Sequence, residues 1–125
     1  MIDFGPDRLG HCLYLSPEQI KQVAELDIPV ELCPSSDAAI AQCVVELLPH
    51  LQQFRKYPEP NIIVCCADTF LFNTNLSMEF FEYAKAMKIT EPAQLKKHLI
   101  KNVDAIFLQD DKLKNQLRNE IESKH

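Results

Sequence analysis

His11, Glu31, Ser36, Asp37 and Asp68 are the side chains of this sequence with chemistry to offer. Each stands in, or just beyond, a short apolar run. His11 closes Asp7-Arg8-Leu9-Gly10-His11. Glu31, Ser36 and Asp37 belong to Val30-Glu-Leu-Cys-Pro-Ser-Ser-Asp37, and Asp68 follows Asn61-Ile-Ile-Val-Cys-Cys-Ala67. An imidazole among carboxylates is equipment for moving protons or, with further donors, for holding a divalent metal. Each residue also has a plain structural use. A histidine after glycine suits a hydrogen-bonded loop, Glu31 an exposed strand edge, Asp68 a turn cap, and Asp37 a helix N-cap.

The elements that must position these groups alternate. Arg8–His11 reads as a short strand or strand-to-loop corner. Ser16-Pro17-Glu18-Gln19 reads as a helix start, with Ser16 capping, Pro17 at the first helical position and Gln19 closing a capping box. Ile20, Val23, Ala24 and Leu26 give that helix an apolar face, and Pro29 ends it near Asp27. Ile28–Cys33 is expected as a strand, and Pro34–Asp37 as a turn and cap for the next helix. That helix carries Ile40, Val44, Leu47, Leu48 and Leu51 on its stripe, with a break at Pro49. Asn61–Ala67 has the length and continuous apolar character of a parallel strand buried on both faces. Three helices follow. The first is capped by Ser77 with Phe81 and Ala84 inward. The second opens at Thr90-Glu-Pro92 with Leu95, Leu99, Val103 and Ile106 on its stripe. The last is capped by Asp110 and carries Leu113, Leu117 and Ile121.

Strand, helix, strand, helix, strand, helices is the pattern of parallel strands with crossover helices. In a (β/α)8 barrel the C-terminal ends of the strands gather the reactive side chains into one mouth. Three strands close no barrel and leave open edges. The expected fold is therefore α/β, a partial (β/α)8 TIM barrel with about three parallel strands followed by C-terminal helices, forming a single incomplete domain over residues 1–125. Such an architecture calls for a protein partner over the sheet edges: the other barrel half, a second copy, or subunits of a complex. Alone it is expected to aggregate, oligomerise or unfold in part.

The 125 residues are 46% hydrophobic and 25% charged with a formal net charge of −5, an ordinary globular composition. No basic stripe with interleaved aromatics is present, which disfavours nucleic acid. The Lys96-Lys97 and Lys112/Lys114 pairs read as solvated helix faces. No apolar run reaches the ~20 residues of a membrane span, and the first residues lack the pattern of a signal peptide. Five cysteines, an odd number with no CxxC, read as reduced thiols in a reducing, most simply cytoplasmic, compartment.

Order and spacing carry a resemblance. Arg8-Leu-Gly-His11 resembles the Arg-Ile-Gly-His-Gly motif of the adenosine/AMP deaminase family. Val30–Asp37 resembles Leu-Glu-x-Cys-Pro-x-Ser-Asn. Cys66-Ala-Asp-Thr69 with Phe72 and Leu76-Ser-Met-Glu79-Phe80 resembles Thr-Asp-Asp-x, Phe and Leu-Ser-x-Glu-Tyr. Asp104-Ala-Ile-Phe107 is similar to the family's late Asn-x-Ile-Phe. The similarity runs from residue 7 to about 120 and covers the C-terminal half of the family only. Among its branches the chain looks closest to the adenosine deaminase-like proteins acting on N6-methyl-AMP.

The resemblance implies a barrel hydrolase in which zinc lowers the pKa of a bound water that attacks C6 of the purine. His11 matches the histidine that orients that water. Counting back from Leu76, Ala67 falls on the zinc aspartate and Asp68 on the aspartate that hydrogen-bonds the purine. A one-residue slip would place Asp68 on the metal and Thr69 on the purine. Cys12 replaces the second glycine of Gly-His-Gly, and Asp37 replaces the asparagine. The His-x-His pair, the third histidine ligand and the catalytic glutamate have no match, and His50, His98 and His125 are expected on helix surfaces or the tail. The expected site is thus a remnant: His11 at the water-orienting position, Asp68 at the purine position, with Glu31, Ser36 and Asp37 lining a strand-end pocket. It has no metal ligand set of its own, so the chain needs no cofactor alone, and zinc only if completed. Three functions compete: a non-catalytic structural or interaction subunit, the C-terminal piece of a split or truncated purine deaminase, and an unrelated small α/β binding domain.

Overall fold

The structure is a computed structural model, and it describes residues 2–124. Three short parallel strands, β1 (Leu9–Gly10), β2 (Val30–Leu32) and β3 (Ile62–Val64), form one sheet in the order β1-β2-β3. Leu9 pairs with Val30, and Val30, Glu31 and Leu32 pair with Ile62, Ile63 and Val64. The β1–β2 crossover is α1 (Pro17–Glu25). The β2–β3 crossover is α2 (Pro34–Ala41), a 3-10 turn (Val45–Leu47) and α3 (Pro49–Phe54). After β3 come α4 (Thr69–Phe72), α5 (Leu76–Met87), α6 (Pro92–Asp104) and α7 (Asp111–Ser123).

Strand residues alternate between faces. Leu9, Val30, Leu32, Ile62 and Val64 are buried in one core with Ile20 and Val23 of α1, Leu48, Leu51 and Phe54 around α3, and Tyr83 of α5. On the opposite face lie Arg8, Gly10, Glu31, Ile63 and Cys65, none of them fully buried. Parallel sheets in globular proteins carry cover on both faces. Here the helices cover one, and the other corresponds to the inside of a barrel, where side chains from several strands fill the lumen. The strand expected to be buried on both faces is therefore buried on one.

The starts of α1, α6 and α7 follow the local signals. Ser16 accepts from the Gln19 N–H while the Gln19 side chain accepts from the Ser16 N–H, the reciprocal box expected there. Glu91 and Pro92 open α6, and Asp110 caps α7 through the Leu113 N–H. Three expectations need correction. Asn75, not Ser77, caps α5, accepting from the Met78 N–H at 3.1 Å. Cys33 occupies the N-cap of α2 and makes no side-chain cap bond, so Asp37 lies inside the helix. The single kinked helix expected to run past Leu51 is two helices, because the chain leaves α2 through Gln42 in the left-handed region. Ile40, Val44 and Leu47 are in consequence exposed. Phe81 is also exposed, and α5 turns Tyr83 and Ala86 inward.

Candidate functional site at the strand ends

His11 follows β1 in a tight three-residue turn. Its N–H donates to the Glu31 carbonyl at 2.7 Å, and the Cys12 N–H donates to the Gly10 carbonyl at 2.7 Å. His11 and Cys12 both have left-handed backbones, φ 58° and 63°. Histidine visits that region more readily than most residues, whereas cysteine there carries a steric cost of roughly 1–2 kcal/mol. The replacement of a glycine by Cys12 therefore has a price in backbone strain. The Cys12 side chain is buried, and burial first and Asp37 second push its thiol up to about 11.

Asp37 lies one helical turn into α2 and is fully buried, 0% exposed. Its Oδ1 is 2.7 Å from His11 Nδ1, and its Oδ2 is 3.3 Å from His50 Nε2, the latter too poorly aligned for a good hydrogen bond. His50, at the start of α3, is 1% exposed. The expectation of a surface histidine is thus corrected: α3 packs on α1 and α5, and its first turn faces the core side of α2. The His11 side chain remains 49% exposed, open to the space beyond the strand ends.

The other expected residues separate. Ser36 is buried beside Asp37 in α2. Glu31 points to the open face of the sheet and pairs with Arg8, Nε to Oε1 at 3.1 Å. Arg8 in turn lies 4.0 Å over the Phe107 ring and donates to the Ala105 carbonyl at 3.4 Å. Asp68 is exposed and caps the short α4, accepting from the Leu71 N–H at 2.9 Å. Ala67 precedes it with no donor to offer a metal. His98 is half-buried, edge-on to Tyr83 at 5.8 Å, and burial holds its imidazole below the usual histidine range. His125 lies outside the described residues.

One residue at this end carried no expected role. Glu79 of α5 is 1% exposed, and its two carboxylate oxygens bridge the Ser35 N–H at 2.9 Å and the Thr74 hydroxyl at 2.7 Å. It supplies the N-terminal cap that Cys33 cannot give α2, and a carboxylate there is favoured by the helix dipole. Its sequence signal was a position in a motif, with no hint of its target 44 residues away.

A catalytic zinc takes three protein ligands and an open position. Among the described residues no three of His, Cys, Asp and Glu are grouped closely enough to hold a metal ion. Asp37 Oδ1 is already engaged by the His11 imidazole, and Asp68 by a helix terminus. The donors of this chain do not fit that metal without others. No described helix is long and apolar enough to cross a membrane. All five cysteines are free.

No family model matches the chain. It is 31% identical over 90 residues to an adenosine deaminase-like protein of Drosophila melanogaster, covering 72% of this chain and 26% of that one. It is 29% identical over 120 residues to an N6-mAMP deaminase of Arabidopsis thaliana, covering 94% of this chain and 32% of that one. The crystal structure of the Arabidopsis N6-mAMP deaminase superimposes with a TM-score of 0.84 at 25% identity, over 99% of this chain and 36% of the other. Its apo form gives 0.83 over 98% and 36%. The chain thus spans about a third or less of the length of the relatives it matches, and its three-stranded arc corresponds to part of their TIM-barrel fold. Motif order, parallel topology and these matches agree: the chain is a relative of the adenosine deaminase-like and N6-mAMP deaminase proteins.

Proposed function

We propose that this chain is a non-catalytic deaminase-like half-barrel that serves as a structural or interaction subunit, in a reducing compartment, with a protein partner over its open sheet face and edges. The observation that carries this reading is the state of the strand-end donors. Ala67 stands where the motif alignment puts the zinc aspartate, and Asp68 and Asp37 are spent on contacts within the chain. The exposed Phe70, Leu71, Met78 and Phe81, on α4 and α5, add apolar surface near the same end. The test is metal analysis and turnover of the native protein, purified with whatever it binds. The expected result is no zinc held through Asp68 and no hydrolysis of adenosine or N6-methyl-AMP. Stoichiometric zinc with turnover would refute the reading.

The His11–Asp37 pair favours a second reading, in which the chain is the C-terminal piece of a split or truncated zinc-dependent purine deaminase. Three histidines and a glutamate would then come from an N-terminal half. The exposed His11 ring would sit against the attacking water, and Asp68 or its neighbour against the purine. Mixing the chain with such a half distinguishes the two. Activity that appears only on mixing and disappears in His11→Ala supports the second reading.

A further inference from the structure

We propose that Asp37 is a positioning residue that fixes His11 in one tautomer, with Nδ1 protonated and Nε2 presented as a lone pair at the open end of the sheet. The argument is one of donors and acceptors. An ionised carboxylate only accepts. His11 Nδ1 lies 2.7 Å from Asp37 Oδ1 in a hydrogen bond, so this nitrogen carries the proton. A free neutral imidazole distributes its proton between two positions, whereas here the partner decides. Both ring nitrogens of His50 are buried without a hydrogen-bond partner, Nε2 lying 3.3 Å from the equally unpartnered Asp37 Oδ2.

A second observation points the same way. The strain of two successive left-handed residues is concentrated on His11 and Cys12, and the turn they make carries the ring back toward α2. Such strain persists where the surroundings over-determine it. The His11 N–H to the Glu31 carbonyl fixes the backbone, and Asp37 fixes the ring. The result is a preorganised acceptor, suited to a ligand that donates: a water, a hydroxyl or a protonated amine.

Its catalytic meaning rests on the second reading above, whereas the tautomer is a property of this chain and is read without activity. The experiment is ¹H–¹⁵N NMR of the histidine rings in the full chain, purified with any bound partner, at mildly alkaline pH. The expected result is a protonated Nδ1 and an unprotonated Nε2 for His11. Asp37→Ala sharpens it, because it removes the acceptor, and the His11 ring should then distribute its proton over both nitrogens. His50→Gln, which keeps a donor toward Asp37, should leave the His11 tautomer unchanged. A wild-type His11 protonated on Nε2 would overturn the proposal even if no variant folds. So would a folded Asp37→Ala protein in which His11 keeps its wild-type tautomer. A correct tautomer in a chain that stays inactive after mixing counts against the second reading and leaves this inference standing.

Discussion

Replacing Glu79 by alanine should cost about 3–5 kcal/mol of folding stability, and replacing it by glutamine about 1–1.5 kcal/mol. The carboxylate is 1% exposed and makes two short hydrogen bonds, to the Ser35 N–H and the Thr74 hydroxyl. Hydrogen bonds to a charged group contribute roughly 1.5–3 kcal/mol each, and a buried donor left alone forfeits its desolvation energy as well. Alanine removes both acceptors and one buried methylene, worth about 0.8 kcal/mol. The Thr74 hydroxyl can rotate toward water, which recovers part of its share. Glutamine keeps the shape: its carbonyl accepts from Ser35, its amide donates to a turned Thr74 hydroxyl, and only the charge assistance is lost. With a urea m-value of about 2 kcal/mol per molar, the unfolding midpoint falls by about 1.5–2.5 M for alanine and about 0.5–0.8 M for glutamine. Native-state hydrogen exchange gives a local reading, since the Ser35 amide should lose its protection in Glu79→Ala before the amides of β2 do. An alanine variant within about 1 kcal/mol of wild type would refute the capping argument. Equal losses for alanine and glutamine would show that the charge, not the bridge to α2, matters.

Four further outcomes are expected. Burial pushes the Cys12 thiol up to about 11 and the Cys33 thiol up to about 12, so alkylation at pH 8 should modify Cys43 well before either; mass spectrometry of the labelled peptides checks the order. Because these folded-state values lie above the unfolded 9.0, and burial raises Tyr83 as well, their contribution is complete below pH 9 and lost as the pH rises toward 11–12; a denaturation midpoint that holds level across that window would contradict it. His98, held low mainly by burial, contributes in the opposite direction, its share being lost as pH falls through its folded value, and its NMR titration midpoint should lie below the usual 6.5. Arg8→Lys should lose the flat contact with Phe107 and the forked reach to Glu31 and Ala105, costing about 0.5–1.5 kcal/mol at these partly exposed sites, read as a fall in the urea midpoint.

What the sequence discloses here is short in range. The Ser16–Gln19 box, the Asp110 cap and the alternation of strand and helix depend on residues three or four apart, and the structure has them as read. At Asn75-Leu-Ser77 two good capping residues stand two apart, and local chemistry does not choose between them; packing of Tyr83 and Ala86 selects Asn75. The site shows the same limit. The pairing of His11 with Asp37 follows from strand-end geometry, so both were legible as members of one cluster. His50 was not, because its burial depends on how α3 lies against α1 and α5 after the chain has left α2 at Gln42. Glu79 was visible only as a motif position, since its partners on α2 and before α5 meet it through tertiary packing. Glu31 read as a pocket candidate because a charge in an apolar strand asks for a partner, and the partner proved to be Arg8 just before the adjoining strand.

The order β1-β2-β3 has a kinetic consequence. Each strand hydrogen-bonds to the next one along the chain, with the covering helix segment between them. Loop-closure entropy is therefore met in small instalments, one crossover at a time, and no pairing waits for a distant segment. The arc can be built as it is synthesised, residue 9 toward residue 64, each unit resting on the last. The hydrogen-bonding edge that β3 presents is of the same kind as the one β2 offered to β3. Nothing in the described sheet itself counts strands, because each step exposes the same backbone pairing groups as the one before.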